Sequence, residues 1–65
     1  MPQKWTGKVV GYMHVKGISF QELAEELGWT KSYISMILGS KRNPPEAETK
    51  IRQAISNIEK RRANG

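Results

Sequence analysis

Sixty-five residues carry 11 Lys and Arg against 6 carboxylates, all of them Glu, for a net charge of +5 at pH 7. A chain of this length holds one small domain, which buries only about 60% of the surface its unfolded form exposes. It has no Cys, no Asp and a single His, so a disulfide framework, a thiolate metal site and a Ser-His-Asp triad are excluded, and neither enzymatic activity nor a cofactor is expected.

The first element reads as a helix over residues 4–15. Trp5, Val9, Tyr12 and Met13 fall at i, i+4, i+7 and i+8 and form its inward face. Thr6 is one candidate for its cap; the alternative places Lys4 and Trp5 already inside the helix. Gly17 supplies the residue that takes a left-handed conformation past the last turn, and Lys16 complements the carbonyl end. His14 falls beside a core position as a partly exposed structural residue.

A second helix is expected over 19–27. Ser19 caps it, Glu22 is placed to reach back as the reciprocal partner, and Ile18 is placed to pack on Leu23, which together make a capping box and a hydrophobic staple. Phe20, Leu23, Ala24 and Leu27 form the buried stripe, Gly28 ends the helix, and Glu25 with Glu26 reads as a solvated acidic face. A third helix over 30–38 follows at once, capped by Thr30, with Trp29 and Ile34 at staple positions and Ile34, Ile37 and Leu38 inward. Gly39 closes it, and Asn43-Pro44-Pro45 cannot continue it because each proline ring excludes the helical conformation for the residue before it.

The fourth helix is expected over 46–62, with Glu46 and Glu48 in its first turn and Lys60, Arg61 and Arg62 in its last, complementing the helix dipole at both ends. Ala47, Ile51, Ala54, Ile55 and Ile58 line its inner side, and residues 63–65 are expected to fray. The fold class is therefore all-α, a compact four-helix domain spanning residues 1–65. No apolar run approaches the roughly 20 residues that cross a bilayer, and none follows the N-terminus as a signal would. A soluble, cytoplasmic protein with no membrane partner and no small-molecule effector is expected.

Function is concentrated where Gly28-Trp29-Thr30 leaves about three residues to turn between the second and third helices. Helices joined so closely cross steeply, as in the helix-turn-helix, whose second helix lies in the DNA major groove while the first spans the backbone. The core of this device covers residues 19–38. A sequence pI near 9.9 agrees with a polyanionic partner. Lys31 and Ser32, in the first turn of the third helix and away from Ile34 and Ile37, are the candidates to contact bases. Lys31 suits guanine O6 and N7, and Ser32 suits either a donor or an acceptor. Met36 lies one turn beyond Ser32 and is either a contact to a thymine methyl or an incidental exposed side chain. Thr30, Tyr33, Lys41 and Arg42 are cast as phosphate contacts, joined by Gln21 near the positive end of the second helix. Trp5 and Trp29 read as core, and Lys60-Arg61-Arg62 as a helix-end cluster.

At these residues the sequence resembles the Cro and lambda-repressor-like family of transcriptional regulators, also called XRE. The resemblance runs through Gly17-Ile18-Ser19, Glu22-Leu23-Ala24, Leu27-Gly28, Tyr33-Ile34-Ser35, Ile37-Leu38, the Gly-Ser-Lys-Arg turn from Gly39, and Lys50-Ile51. It implies a lambda-repressor-like fold and a bacterial or phage regulator, most simply a repressor that occupies an operator. Two departures stand out: Phe20 occupies the position after the cap where the family often has Gln, and one extended helix stands where members commonly add a fifth. A roughly palindromic double-stranded operator bound by a homodimer is expected, because one module of this size makes only a handful of base contacts. The pairing surface is expected on the fourth helix with the nearby end of the third, where Ile55 and Ile58 extend an apolar stripe, unless Trp5 and Met13 cover it. The alternative is a protein-interaction module of the same fold, antitoxin-like or anti-repressor, with DNA binding secondary or absent. RNA ranks lower because no exposed aromatic platform is evident.

Overall fold

The computed structural model describes residues 4–39, 41–42 and 44–64. Four helices account for most of them: α1 (Lys4–Lys16), α2 (Phe20–Leu27), α3 (Lys31–Leu38) and α4 (Ala47–Asn64). No strand occurs among the described residues.

The two junctions that connect the first three helices are built alike. Gly17 and Gly28 both take the left-handed conformation, with φ of 69° and 73°. At the first junction the Ile18 amide donates to the Met13 carbonyl at 2.9 Å, and at the second the Trp29 amide donates to the Ala24 carbonyl at 2.9 Å. Each bond closes the end of one helix, and the next residue opens the following one. Ser19 and Thr30 stand in extended backbone, and their hydroxyl oxygens accept from the Glu22 and Tyr33 amides, each at 3.0 Å. Between glycine and cap sits one apolar residue, Ile18 or Trp29, that packs in or against the core.

Around these junctions α1 and α2 each pack against α3 and against α4, so the four helices form a ring with α1 across from α2. Helix α4 runs parallel to α1: Lys8 shares a groove with Arg52, Tyr12 reaches Glu59, and Arg62 reaches the end of α1. It runs antiparallel to α2, with Arg62 on Glu22 and Arg61 on Glu26. Ile51, Ala54, Ile55 and Ile58 thereby enter the same core as Met13, Leu23, Ile34 and Ile37.

Several expectations are corrected here. Helix α4 begins at Ala47 because Glu46 has a φ of 66°, outside the helical region. Of the residues 63–65 expected to fray, Ala63 and Asn64 belong to the helix and Gly65 lies outside the described residues; the turn before them is anchored. The Arg62 guanidinium donates to the Lys16 carbonyl at 2.9 Å, the Gly17 carbonyl at 3.2 Å and the Glu22 carboxylate at 2.7 Å. The Glu22 side chain therefore takes Arg62 as its partner, where the capping box assigned it to the Ser19 amide. Glu26 is not a solvated acid: its side chain is 17% exposed and paired with Arg61 at 2.6 Å. Thr6 is a buried residue inside α1 and not its cap. Ile55 and Ile58 are 5% and 0% exposed, so they leave no apolar stripe for a partner.

Helical period puts Tyr12 on the inward face of α1, but it lies at the edge of that face and is 42% exposed. Its hydroxyl donates to Glu59 at 2.7 Å. That hydrogen bond, with lesser contributions from desolvation and from the nearby carboxylate charge, raises its pKa above the ordinary value of 10.0.

A Cβ added at Gly28 meets nothing within 4 Å, so the cost of replacing it lies in backbone conformation alone. We expect Gly28→Ala to lower stability by about 1 kcal/mol and Gly28→Val by more, with Gly28→Asn the mildest of the three because Asn tolerates the left-handed region. Thermal denaturation of the three variants checks the order, and a Gly28→Val protein that melts with the parent would contradict this account of the turn.

Candidate nucleic-acid interface

Eight residues give α3 barely two turns, and its two sides are chemically distinct. Ile34, Ile37 and Leu38 are buried against the core, whereas Lys31, Ser32 and Ser35 are exposed and Met36 is half-buried. Ser35 stands four residues from Lys31 and three from Ser32, so the three share one surface with Met36 at its edge. Ser35 is a candidate contact that the sequence reading left out, although its spacing from Lys31 and Ser32 carried the signal.

The flanks of this surface are held by backbone bonds. At the start of α3, Thr30 Oγ1 accepts from the Tyr33 amide, which leaves its hydroxyl hydrogen free to donate outward. The Tyr33 ring is half-buried and meets the Trp29 ring edge-on, with centroids 5.1 Å apart and planes at 83°. That contact orients the ring. At the far end, the Lys41 and Arg42 amides both donate to the Met36 carbonyl, at 2.9 and 3.2 Å. The chain thereby folds back on the last turn of α3, and two exposed cationic residues begin beside it.

Charge is sorted around this helix. Residues 30–42 contain Lys31, Lys41 and Arg42 and no acid. None of these three forms an ion pair with another described residue, whereas Glu22 and Glu26 of α2 are both turned to α4 by Arg62 and Arg61. Gln21 fits its expected role less simply. Its amide nitrogen donates to the Glu25 carboxylate at 3.0 Å, so a phosphate approaching Gln21 meets that carboxylate as well.

Among the described residues no group of three or more His, Cys, Asp or Glu is placed to hold a metal ion, and no helix is long and apolar enough to cross a membrane. No family model, no curated protein and no solved structure matches the chain. The surface around α3 thus stands on its geometry and charge.

Because α3 is so short, its N-cap matters to the whole surface. We expect Thr30→Ala to lower stability by about 1 kcal/mol and Thr30→Ser to leave it nearly unchanged, since only Ser keeps the accepting oxygen. Urea denaturation of the pair checks this; equal losses in both would assign the effect to packing of the Thr methyl group.

Proposed function

We propose that the protein binds double-stranded DNA sequence-specifically, as a small transcriptional regulator that lays α3 in the major groove and represses by occupying its operator. The observation that carries this reading is the division of α3. Its inner face is fastened to the core, and its outer face presents Lys31, Ser32 and Ser35 in an acid-free segment. The resemblance of residues 17–51 to the Cro and lambda-repressor-like family supports the same reading. So does the tight turn at Gly28, which matches the helix-turn-helix device.

In this reading Lys31 donates to guanine O6 and N7. Ser32 and Ser35 contact base edges as donors or acceptors, and Met36 lies against a thymine methyl. Thr30, Tyr33, Lys41 and Arg42 bind phosphates and so set orientation without reading sequence. Gln21 joins them only by exchanging its bond to Glu25. One module covers about 600–1,000 Å² of DNA, little to distinguish a site, so two copies occupy half-sites about 34 Å apart. Because Ile55 and Ile58 are buried, that pairing does not use the apolar stripe of α4.

Base-reading and phosphate-binding residues fail differently. Lys31→Ala should weaken the preferred duplex by about 1–3 kcal/mol and flatten discrimination at one base pair, whereas Arg42→Ala should weaken all duplexes alike and reduce the salt slope by about one. Fluorescence anisotropy against a selected and a scrambled duplex at several salt concentrations distinguishes them. An unchanged base preference in Lys31→Ala would remove α3 from the groove.

A further inference from the structure

We propose that the solvent side of α1, together with the groove it forms along α4, docks an acidic amphipathic helix of a partner protein. This surface contains no residue of α3 and does not depend on what α3 binds.

Three features of α1 point to this docking. First, the exposed large apolar side chains among the described residues, Val10, Tyr12 and Val15, all belong to this helix, with Val15 80% exposed. Isolated exposed apolar residues are ordinary, and Val10 stands alone on one flank of the helix, but Tyr12 and Val15 lie about 60° apart on the side that borders α4, with Gly11 next to them. Second, α1 borders a groove of about 310 Å³ against α4, walled by Lys8, Tyr12, Arg52 and Glu59 and floored by Val9 and Ile55, which are themselves buried. The Tyr12 ring is held at this edge by its hydroxyl bond to Glu59 and by the Lys16 ammonium 5.6 Å from the ring centre. An aromatic ring fixed in this way gives a partner contact area at little entropic cost. Third, Gly7 and Gly11 lie in mid-helix on the exposed side, and a Cβ at either would meet nothing within 4 Å. Glycine is the poorest helix former after proline, and packing within this chain does not call for it at either position. With Val15 they form a line at i, i+4 and i+8, along which a second helix can approach closely.

Charge selects the occupant. Helix α1 carries Lys4, Lys8 and Lys16 and no acid. Beside the groove Glu48 is paired with Arg52 at 2.8 Å, whereas Glu59 accepts only from the neutral Tyr12 hydroxyl and keeps its charge, so the cationic part of the surface is the part that carries Lys4 and Lys8. Lys4 and Lys8 form no ion pair with another described residue. The surface is therefore complementary to a helix with an apolar stripe flanked by Glu or Asp. A second copy fits poorly, because apposed α1 faces would bring lysines against lysines. A phosphate backbone would leave Val15 and the glycine line without use.

The test uses a synthetic amphipathic peptide about as long as α1, with Leu along one side and Glu on its flanks, and a twin in which Lys replaces Glu. Amide resonances of the isotope-labelled protein are followed during titration. The Glu peptide should shift residues of α1 and the facing side of α4 and leave Lys31, Ser32 and Ser35 unmoved, and the Lys twin should bind at least about tenfold more weakly. The double variant Gly7→Ala/Gly11→Ala should melt higher than the parent yet bind the Glu peptide several-fold more weakly, which separates docking from folding. Lys8→Glu should weaken the same peptide. The proposal is overturned if both peptides bind alike, if neither binds, or if the alanine variant binds as tightly as the parent. It is also overturned if the α1 resonances move on dilution of the protein alone, which would make the occupant a second copy, or with random duplex DNA, which would make it nucleic acid.

Discussion

Two left-handed glycines, Gly17 and Gly28, are the constraint on which the remaining architecture depends. Each is followed by one apolar residue and one hydroxyl cap, so helix end, core anchor and helix start occupy three consecutive positions. No slack remains between α1, α2 and α3, and the path of each helix is set by the one before it. The backbone amides at the turns are satisfied by the closing helix, and at each helix start the hydroxyl of Ser19 or Thr30 takes up one of the first-turn amides. Helix α4 closes the ring. Its Arg62 holds the Lys16 and Gly17 carbonyls and the Glu22 carboxylate together, joining the end of α1, the start of α2 and its own last turn.

The same arrangement sorts charge. Arg61 and Arg62 draw Glu26 and Glu22 toward α4, while residues 30–42 keep their cations and contain no acid. A chain with a net charge of +5 could spread that excess evenly; here the three cations of residues 30–42 flank an exposed polar helix face. The Arg61–Glu26 and Arg62–Glu22 pairs add little to stability, because both guanidinium groups stay open to solvent. Their larger effect is on where negative charge is absent, which governs how a polyanion approaches.

Much of this was legible in the sequence wherever the cause is local. The Gly-Ile-Ser and Gly-Trp-Thr junctions each involve residues within one turn of one another, and the inward set Ile34, Ile37 and Leu38 follows from helical period alone. Long-range partners were not legible. Glu22 finds Arg62 40 residues away, and a capping box is the better guess when only its neighbours are known. Tyr12 lies at the edge of the helix stripe, where period gives direction but the neighbouring helix decides coverage. The helical period marks Ile55 and Ile58 as one apolar stripe but does not say what covers it; both are buried in the core shared with Met13, Leu23 and Ile34. The left-handed Glu46 carries no sequence signal, since neither its own side chain nor the two prolines before it favours that conformation. At the candidate interface Lys31, Ser32, Thr30, Lys41 and Arg42 are exposed as read. Ser35 was legible from its spacing and passed over.

The central claim is that the α2–α3 turn presents α3 to a DNA duplex. Its most direct measurement is an amide-resonance titration of the isotope-labelled protein with a duplex selected from a random pool. The account predicts the largest shifts at residues 31–36 and at Lys41 and Arg42, with Gly7, Gly11 and Val15 of α1 unmoved. Shifts gathered on α1 or α4 while Lys31, Ser32 and Ser35 stay in place would contradict it.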